Sequence, residues 1–284
     1  MVDETNENVM GEEILDAGYA LEALRETGYK NTAYALSELI DNSIDANAMD
    51  IDVVALEMNV AADSGRMVDR ITSLAVIDNG DGIPAEVLSK CLSIGFGTKF
   101  GNNQGIGRFG YGLKGGSISQ CRKIEVYSWR ENKKPLYTFL DLDEIKEKTQ
   151  TEIPAPIEKS LPQFLSNFGN TESGTAIVWD KLDKLDYKSS KGLYGMMNSD
   201  LSRLFRNFLD DDNTYGIRRD IKLRVVEQNG EEIYQATDLK ANDPTYRLKP
   251  NTLDPMSENE ALEKGFKENR DLSNRATNIE HNNY

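Results

Sequence analysis

The residues S-E-L-I-D-N-S-I-D-A at positions 37–46 place several oxygen-bearing side chains at helical spacing. Residues three or four apart share one face of a helix, and here these are Glu38, Asp41, Asn42 and Asp45. A carboxylate and an amide one turn apart suit Mg²⁺, which takes oxygen ligands from the protein and from substrate phosphates. A second carboxylate beside them could orient a water. The same face also fits a solvated helix, so other segments must decide between a site and a surface.

The sequence also shows how this helix is anchored. Its opposite face carries an apolar stripe at the helical period, formed by Ala33, Leu36, Ile40 and Ile44. Either Asn31 or Thr32 has the side chain needed to cap the helix start. We therefore predict a helix with one face in the core and the row of acids on the other.

A second candidate segment is V-I-D-N-G-D-G-I-P at residues 76–84. A predicted strand runs into Asp78, and Gly80 and Gly82 then allow a tight turn where side chains would obstruct a close ligand. One interpretation is a simple D-G turn that ends a strand. The other makes Asp78 an acceptor for an exocyclic amine such as adenine N6, because a carboxylate buried there needs a donor.

The third segment, residues 93–116, contains nine glycines in 24 residues, out of 22 glycines in the whole chain. Such clustering fits either a flexible linker or a backbone that surrounds phosphate with N–H groups. Apolar residues alternate with the glycines, which a solvated linker does not need. The segment's cations are Lys99, Arg108 and Lys114. Its G-I-G-R-F-G string follows a glycine-rich stretch, whereas a Rossmann fingerprint directly follows a first strand. No P-loop motif is present.

Composition excludes several classes of protein. The formal net charge is −15, so the whole surface is not a nucleic-acid footprint. The single histidine, His281, excludes Ser-His-Asp and His-Glu-x-x-His chemistry. Two cysteines do not make a disulfide scaffold, no apolar run is long enough to span a membrane, and the acidic N-terminus differs from a signal peptide. We expect a cytoplasmic protein with reduced thiols and no membrane partner.

The elements that must position these segments follow from hydrophobic pattern. Helices are predicted over 12–27 and 195–209 in addition to the helix of the acidic row. β-Branched runs bounded by polar turns predict strands at residues 50–58, 70–77, 124–130, 136–142 and 175–180. A hairpin across N-G is predicted from 221–228 and 232–235.

The organisation of the chain is predicted from changes in composition. The segment between Leu142 and Thr171 is polar, has prolines at 154, 156 and 162, and is expected to be an insertion or irregular loop. The later hairpin indicates the start of a second domain, so we divide the chain into 1–185 and 186–284. Past residue 250 the chain is polar and rich in Asn, and we expect the natural protein to continue beyond it.

In combination, E-x-x-D-N, then D-x-G-x-G, then the glycine-rich segment resemble the GHKL ATPase superfamily. Its members include DNA gyrase B, the ninety-kilodalton heat-shock chaperones, histidine kinases, MutL and the microrchidia (MORC) proteins. The I-G-R-F-G-Y-G-L-K and S-I-G-F-G-T-K strings are most similar to the heat-shock and MORC forms, and S-G-T at 173–175 resembles the family's Gly-Thr element. The resemblance implies a two-layer α/β Bergerat fold with a mixed sheet and helices on one face, followed by the start of a transducer-like domain.

The resemblance also implies roles for individual residues. Glu38 matches the general base, Asn42 the Mg²⁺ ligand, and Asp78 the acid that binds adenine with help from Thr175. Other positions match the nucleotide-binding surface, namely Asp41, Gly80, Gly82, Lys99, Gly107, Arg108, Phe109, Gly110, Tyr111, Gly112, Leu113 and Lys114. The family's second domain usually supplies a lysine to the γ-phosphate, and no residue here matches it.

The function implied is Mg²⁺-dependent ATP binding and slow hydrolysis that switch conformation and drive formation of a homodimer. DNA or a protein client would bind through further domains. One alternative is a nucleotide-gated interaction module with negligible turnover in a DNA-associated machine. Another is a structural α/β domain that binds no nucleotide.

Overall fold

A mixed sheet of eight strands is the frame of the computed structural model, which describes residues 16–26, 28–62, 64–93, 112–210, 217–227 and 232–242. The strands are β1 Asp50–Ala61, β2 Met67–Asp78, β3 Cys121–Trp129, β4 Leu136–Asp141, β5 Ile157–Glu158, β6 Gly174–Leu182, β7 Asp220–Glu227 and β8 Glu232–Asp238. Their order across the sheet is β5-β4-β3-β6-β2-β1-β7-β8. β1 and β7 are parallel, and the other neighbouring pairs are antiparallel.

The helices pack on one face of this sheet. They are α1 Ala17–Glu26, α2 Thr32–Asp45, α3 Ala85–Leu88, α4 Gly112–Ile118, α5 Leu142–Lys146, α6 Ser190–Leu204 and α7 Arg206–Leu209, with a 3₁₀ turn at Ser89–Leu92. A second 3₁₀ turn, Gln163–Leu165, lies on the opposite face. In the described part of the chain, no helix has both the length and the apolarity to cross a bilayer. The mixed sheet with its helical layer confirms the fold class predicted from the sequence.

Helix α2 forms as the sequence predicts. Of the two candidate caps, Asn31 is the N-cap, and its side-chain oxygen accepts a hydrogen bond from the backbone N–H of Tyr34 at 3.1 Å. Such a cap satisfies one of the four N–H groups that have no partner within a helix. The apolar stripe, including Leu36 and Ile40, is buried in the core between helices and sheet. Packing of that stripe fixes the rotation of α2 and therefore the direction of its acidic face.

Three successive rows of side chains run across β3, β6 and β2 beneath the helices. The register fixes the rows, because paired residues lie side by side in neighbouring strands. The first two rows are buried and apolar: Ile124, Trp179 and Leu74, then Val126, Ile177 and Val76. The third row, at the end of the core, is buried and polar: Ser128, Thr175 and Asp78. We call it the polar row.

The opposite face of the sheet is covered by the proline-containing segment. The sequence predicts an insertion or irregular loop there, but the segment contains α5, β5 and a 3₁₀ turn. Phe164 and Leu165 of that turn pack against Tyr137 and Trp129. A polar composition hid this role because only a few apolar side chains are needed to cover that face.

The part of the chain assigned to a second domain contributes to the same sheet. β7 pairs along β1 from Asp50↔Asp220 to Glu57↔Glu227, and β8 extends it as the predicted hairpin. The side chain of Asp200 in α6 accepts a hydrogen bond from Asn31 at 2.7 Å. The boundary at residue 185 stays a prediction, and the described residues on its two sides share one sheet.

Candidate functional site

The carboxylate of Asp78 is buried at the end of β2 and held by three donors. Its Oδ1 accepts from the backbone N–H of Gly80 at 2.9 Å and of Thr175 at 3.2 Å. Its Oδ2 accepts from the hydroxyl of Ser43 at 2.7 Å. Each carboxylate oxygen can accept two hydrogen bonds. Among the described residues Oδ2 therefore keeps one acceptor position, which is the chemistry needed to bind an amine.

Burial raises the pKa of Asp78, and the hydrogen bonds from Ser43, Gly80 and Thr175 oppose that rise. A carboxylate that merely ended a D-G turn would be stable in water and would need no such set of donors. Placing it in the interior has a desolvation cost that the donors offset. This arrangement favours a binding role for Asp78 over the simple turn.

Gly80 and Gly82 allow the segment after Asp78 to pass close to protein backbone. A Cβ at Gly80 would lie 2.7 Å from the carbonyl oxygen of Ala46, just past α2, and one at Gly82 would lie 2.4 Å from that of Trp129. Gly82 also has φ of +68°, which side chains rarely adopt. The two glycines therefore seat this turn against α2 and β3, which positions Asp78.

Thr175 lies beside Asp78 in the polar row, as the resemblance implies. Its side chain is buried, and its hydroxyl oxygen lies 3.3 Å from that of Ser128 on β3. The Ser128 hydroxyl accepts from the N–H of Ile83 at 2.7 Å and donates to the carbonyl of Gly174 at 3.0 Å. One hydroxyl thus joins the turn after Gly82 to the strand that carries Thr175.

Glu38 is half-buried on the acidic face of α2, against the first turn of α4. A Cβ on Gly112 would lie 2.1 Å from Oε2 of Glu38, so only glycine allows the carboxylate to lie against this backbone. Burial raises the pKa of Glu38, and a hydrogen bond from Tyr29 opposes the rise. A carboxylate with a raised pKa is better suited to accept a proton near neutral pH.

Asn42 and Asp41 follow Glu38 on the same helix, and both are partly exposed. Burial raises the pKa of Asp41 to about 6, and the charges of Glu38 and Asp45 add to the shift. In the part of the chain that the structure describes, no group of three His, Cys, Asp or Glu residues could hold a metal ion. The oxygen donors on α2 still fit Mg²⁺, which needs one or two protein ligands when phosphates supply the rest.

The side chains of Leu113 and Lys114 turn inward in α4. Leu113 packs against the core beneath the helices. Lys114 is buried and its ammonium donates to the carbonyl of Ser93 at 2.7 Å, which joins α4 to the residue that precedes position 94. Contact of Lys114 with a phosphate stays a prediction. Six further predicted site residues lie outside the described residues: Lys99, Gly107, Arg108, Phe109, Gly110 and Tyr111.

The sequence analysis missed three side chains of this site, namely Ser43, Ser128 and Tyr29. Ser43 was detectable as a polar residue on the buried face of α2, three residues after Ile40. Ser128 was detectable as the polar member of an inward series on β3 that begins with Ile124 and Val126. No pattern in the sequence marks Tyr29 as a partner of Glu38.

The fold and the site define a class of nucleotide-binding domain. A mixed sheet supports a helix that carries a carboxylate and an amide, and the end of a neighbouring strand presents a buried acid with an acceptor position. The sequence profile of the histidine kinase-, DNA gyrase B- and HSP90-like ATPases matches residues 29–175. The chain belongs to this GHKL family. Membership implies ATP binding and, for the family in general, ATPase activity.

Individual relatives are more distant. The chain is 28% identical over 102 residues to Protein MICRORCHIDIA 7 of Arabidopsis thaliana, a match covering 36% of this chain and 14% of that protein. A crystal structure of the N-terminal domain of a DNA repair protein superposes with a TM-score of 0.49 at 16% identity. That superposition covers 79% of this chain and 57% of the other.

Proposed function

We propose that this chain binds ATP with Mg²⁺ and hydrolyses it slowly, as a conformational and dimerisation switch in a larger protein of the MORC or heat-shock chaperone type. One observation carries the proposal: α2 contacts both ends of the site. Ser43 of α2 bonds the Asp78 carboxylate, and Glu38 of α2 lies against Gly112 at the start of α4. A nucleotide with its base at Asp78 would therefore extend its phosphates along this helix.

The chemistry expected of each residue follows from its place. Asp78 accepts the amino group of adenine at its remaining acceptor position. Asn42 is the residue that would hold Mg²⁺, and the ion when bound neutralises phosphate charge. Glu38 accepts the proton of the attacking water, which typically contributes about 10²–10⁴-fold to rate. Phosphoryl transfer needs positioning and charge neutralisation more than covalent chemistry.

Thermal unfolding with and without Mg-ATP tests binding. Nucleotide at 100 times its dissociation constant should stabilise the folded chain by about 2.7 kcal/mol. Asp78→Ala should abolish that rise in melting temperature, whereas Asp69→Ala, at the exposed far end of the same strand, should retain it. No rise in the wild-type chain would favour the structural domain that binds no nucleotide.

A nucleotide-gated module with negligible turnover is the second candidate. The observation that favours it is the engagement of the Lys114 ammonium with the Ser93 carbonyl, which directs this cation to protein backbone. Turnover of the wild-type chain compared with Glu38→Ala separates the two. Equal rates would dismiss hydrolysis, while a retained melting shift would keep nucleotide binding.

The proposed switch has its own test. Sedimentation of the chain with a non-hydrolysable ATP analogue and Mg²⁺ should show a dimer, and the chain with Mg²⁺ alone should show a monomer. Asp78→Ala should remain monomeric with the analogue and without it, because this variant cannot retain the nucleotide. An analogue-bound wild-type monomer would contradict the dimerisation part of the proposal.

A further inference from the structure

Ser128 occupies a position in the polar row where three backbone segments of the site meet. Its side chain is buried, 1% exposed. Its oxygen lies 2.7 Å from the Ile83 nitrogen, 3.0 Å from the Gly174 carbonyl oxygen and 3.3 Å from the Thr175 hydroxyl oxygen. Three polar contacts use the full capacity of a hydroxyl, which has one proton and two lone pairs.

The direction of each hydrogen bond follows from the partners. A backbone N–H only donates, so Ser128 accepts from Ile83. A carbonyl only accepts, so Ser128 gives its single proton to Gly174. The remaining lone pair of Ser128 accepts the proton of Thr175. Among the described residues, the Thr175 hydroxyl has Ser128 as its only hydrogen-bond partner. Thr175 therefore offers only lone pairs to a ligand.

This hydrogen-bond polarity matches that of Asp78. Asp78 is an acceptor, and its neighbour in the polar row is a hydroxyl whose proton is already used. Among the described residues, the side chains of Asp78 and Thr175 therefore present acceptors only at the base end of the site. An amino group on a purine satisfies such a surface directly or through water, whereas an oxo group at the same position would place lone pair against lone pair.

We propose that Ser128 is a specificity-determining positioning residue, which fixes the proton of Thr175 and so selects 6-aminopurine over 6-oxopurine nucleotides. The inference rests on the proposed nucleotide binding and adds the residue that sets its base selectivity. Ser128 acts through Thr175 and does not itself contact the base. Removing its hydroxyl would free the Thr175 proton to rotate toward the ligand and donate to an oxo group.

ADP and inosine diphosphate test the proposal because their bases differ at position 6. Calorimetric titration of the wild-type chain should show ADP binding at least about 100-fold more tightly, since the site's acceptors reject the oxo group. Ser128→Ala should lower that ratio about 10-fold, the worth of one hydrogen bond. Ser202→Ala removes a buried serine of α6 as a matched control and should leave the ratio unchanged.

A double-mutant cycle shows whether Ser128 acts through Thr175. In a Thr175→Val background, adding Ser128→Ala should leave the ratio unchanged, because the hydroxyl it orients is gone. The proposal would be overturned if Ser128→Ala kept the wild-type ratio of ADP to inosine diphosphate affinity or weakened both ligands equally. It would also be overturned if Ser128→Ala lowered that ratio fully in the Thr175→Val background. If Ser128→Ala does not fold, Thr175→Val alone must lower the affinity ratio. A wild-type ratio in Thr175→Val would then overturn the proposal.

Failure of this inference differs from failure of the proposed function. A wild-type chain that binds neither nucleotide contradicts nucleotide binding itself. A wild-type chain that prefers ADP, with the same preference in Ser128→Ala and Thr175→Val, contradicts only the role of Ser128.

Discussion

The hydroxyl of Ser43 donates to Oδ2 of Asp78 over 2.7 Å, which joins α2 to the end of β2 inside the protein. The helix that carries Glu38 and Asn42 thus also orients the carboxylate that we propose accepts adenine. One helix therefore contacts both Asp78, through Ser43, and Gly112 at the start of α4, through Glu38.

Ser43→Ala should weaken ADP binding about 10- to 100-fold, since a hydrogen bond to a charged group contributes about 1.5–3 kcal/mol. The bond also opposes the raised pKa of Asp78, so the variant should raise that pKa further. Its loss of affinity should therefore be larger at pH 6 than at pH 8, because ADP needs the ionised carboxylate. Calorimetry at both pH values checks this.

Ser37→Ala is the matched control on the same helix. The Ser37 hydroxyl donates to the carbonyl of Tyr34 within α2 at 2.8 Å. Its loss should change ADP affinity little at either pH. A similar loss in both variants would show that Ser43 matters only through helix stability.

Glu38→Gln should slow ATP turnover about 10²–10⁴-fold, because the amide cannot accept the proton of water. The amide keeps the size of the side chain against Gly112, so ADP affinity should remain near that of wild type. Steady-state phosphate release and calorimetry measure the two quantities. The exposed Glu86→Gln should turn over normally, and parallel losses in both variants would contradict a base at Glu38.

Gly82→Ala should destabilise the fold by about 2–3 kcal/mol, more than backbone strain alone, and also weaken nucleotide binding. Its Cβ would lie 2.4 Å from the Trp129 carbonyl oxygen at φ of +68°. Gly65→Ala separates these causes, because Gly65 has φ of +77° with no atom within 4 Å of the added Cβ. Chemical unfolding of Gly65→Ala should show a loss of about 1 kcal/mol in the free energy of unfolding from backbone strain alone, and its ADP affinity should be unchanged. Equal costs in the two variants would refute the close approach at Gly82.

Asp41→Asn should stabilise the chain in a pH-dependent way. Burial and the neighbouring acids raise the pKa of Asp41 from 3.8 to about 6. The ionised side chain therefore destabilises the fold fully above about pH 6, and this penalty disappears as the pH falls toward 3.8. The rise in melting temperature of Asp41→Asn should be larger at pH 8 than at pH 5. The exposed Asp69→Asn should show no such difference, and a uniform rise would contradict the shift.

The sequence by itself determined what depends on local pattern. Helical period predicted α2 with Asn31 or Thr32 as its cap, and β-branched runs bounded by polar turns predicted the strands that run into Asp78 and begin near Thr175. Motif spacing identified the family, because E-x-x-D-N, D-x-G-x-G and a glycine-rich segment in that order form a specific combination.

Only the tertiary structure decided which partners complete those residues. The hydrogen bonds between Ser43 and Asp78 and between Thr175 and Ser128 join residues 35 and 47 positions apart, and the parallel pairing of β1 with β7 joins more distant segments still. A serine has the same local preference whether it faces water or a buried carboxylate. Its role depends on which strand the sheet register places beside it, and that register is set by packing of the whole core.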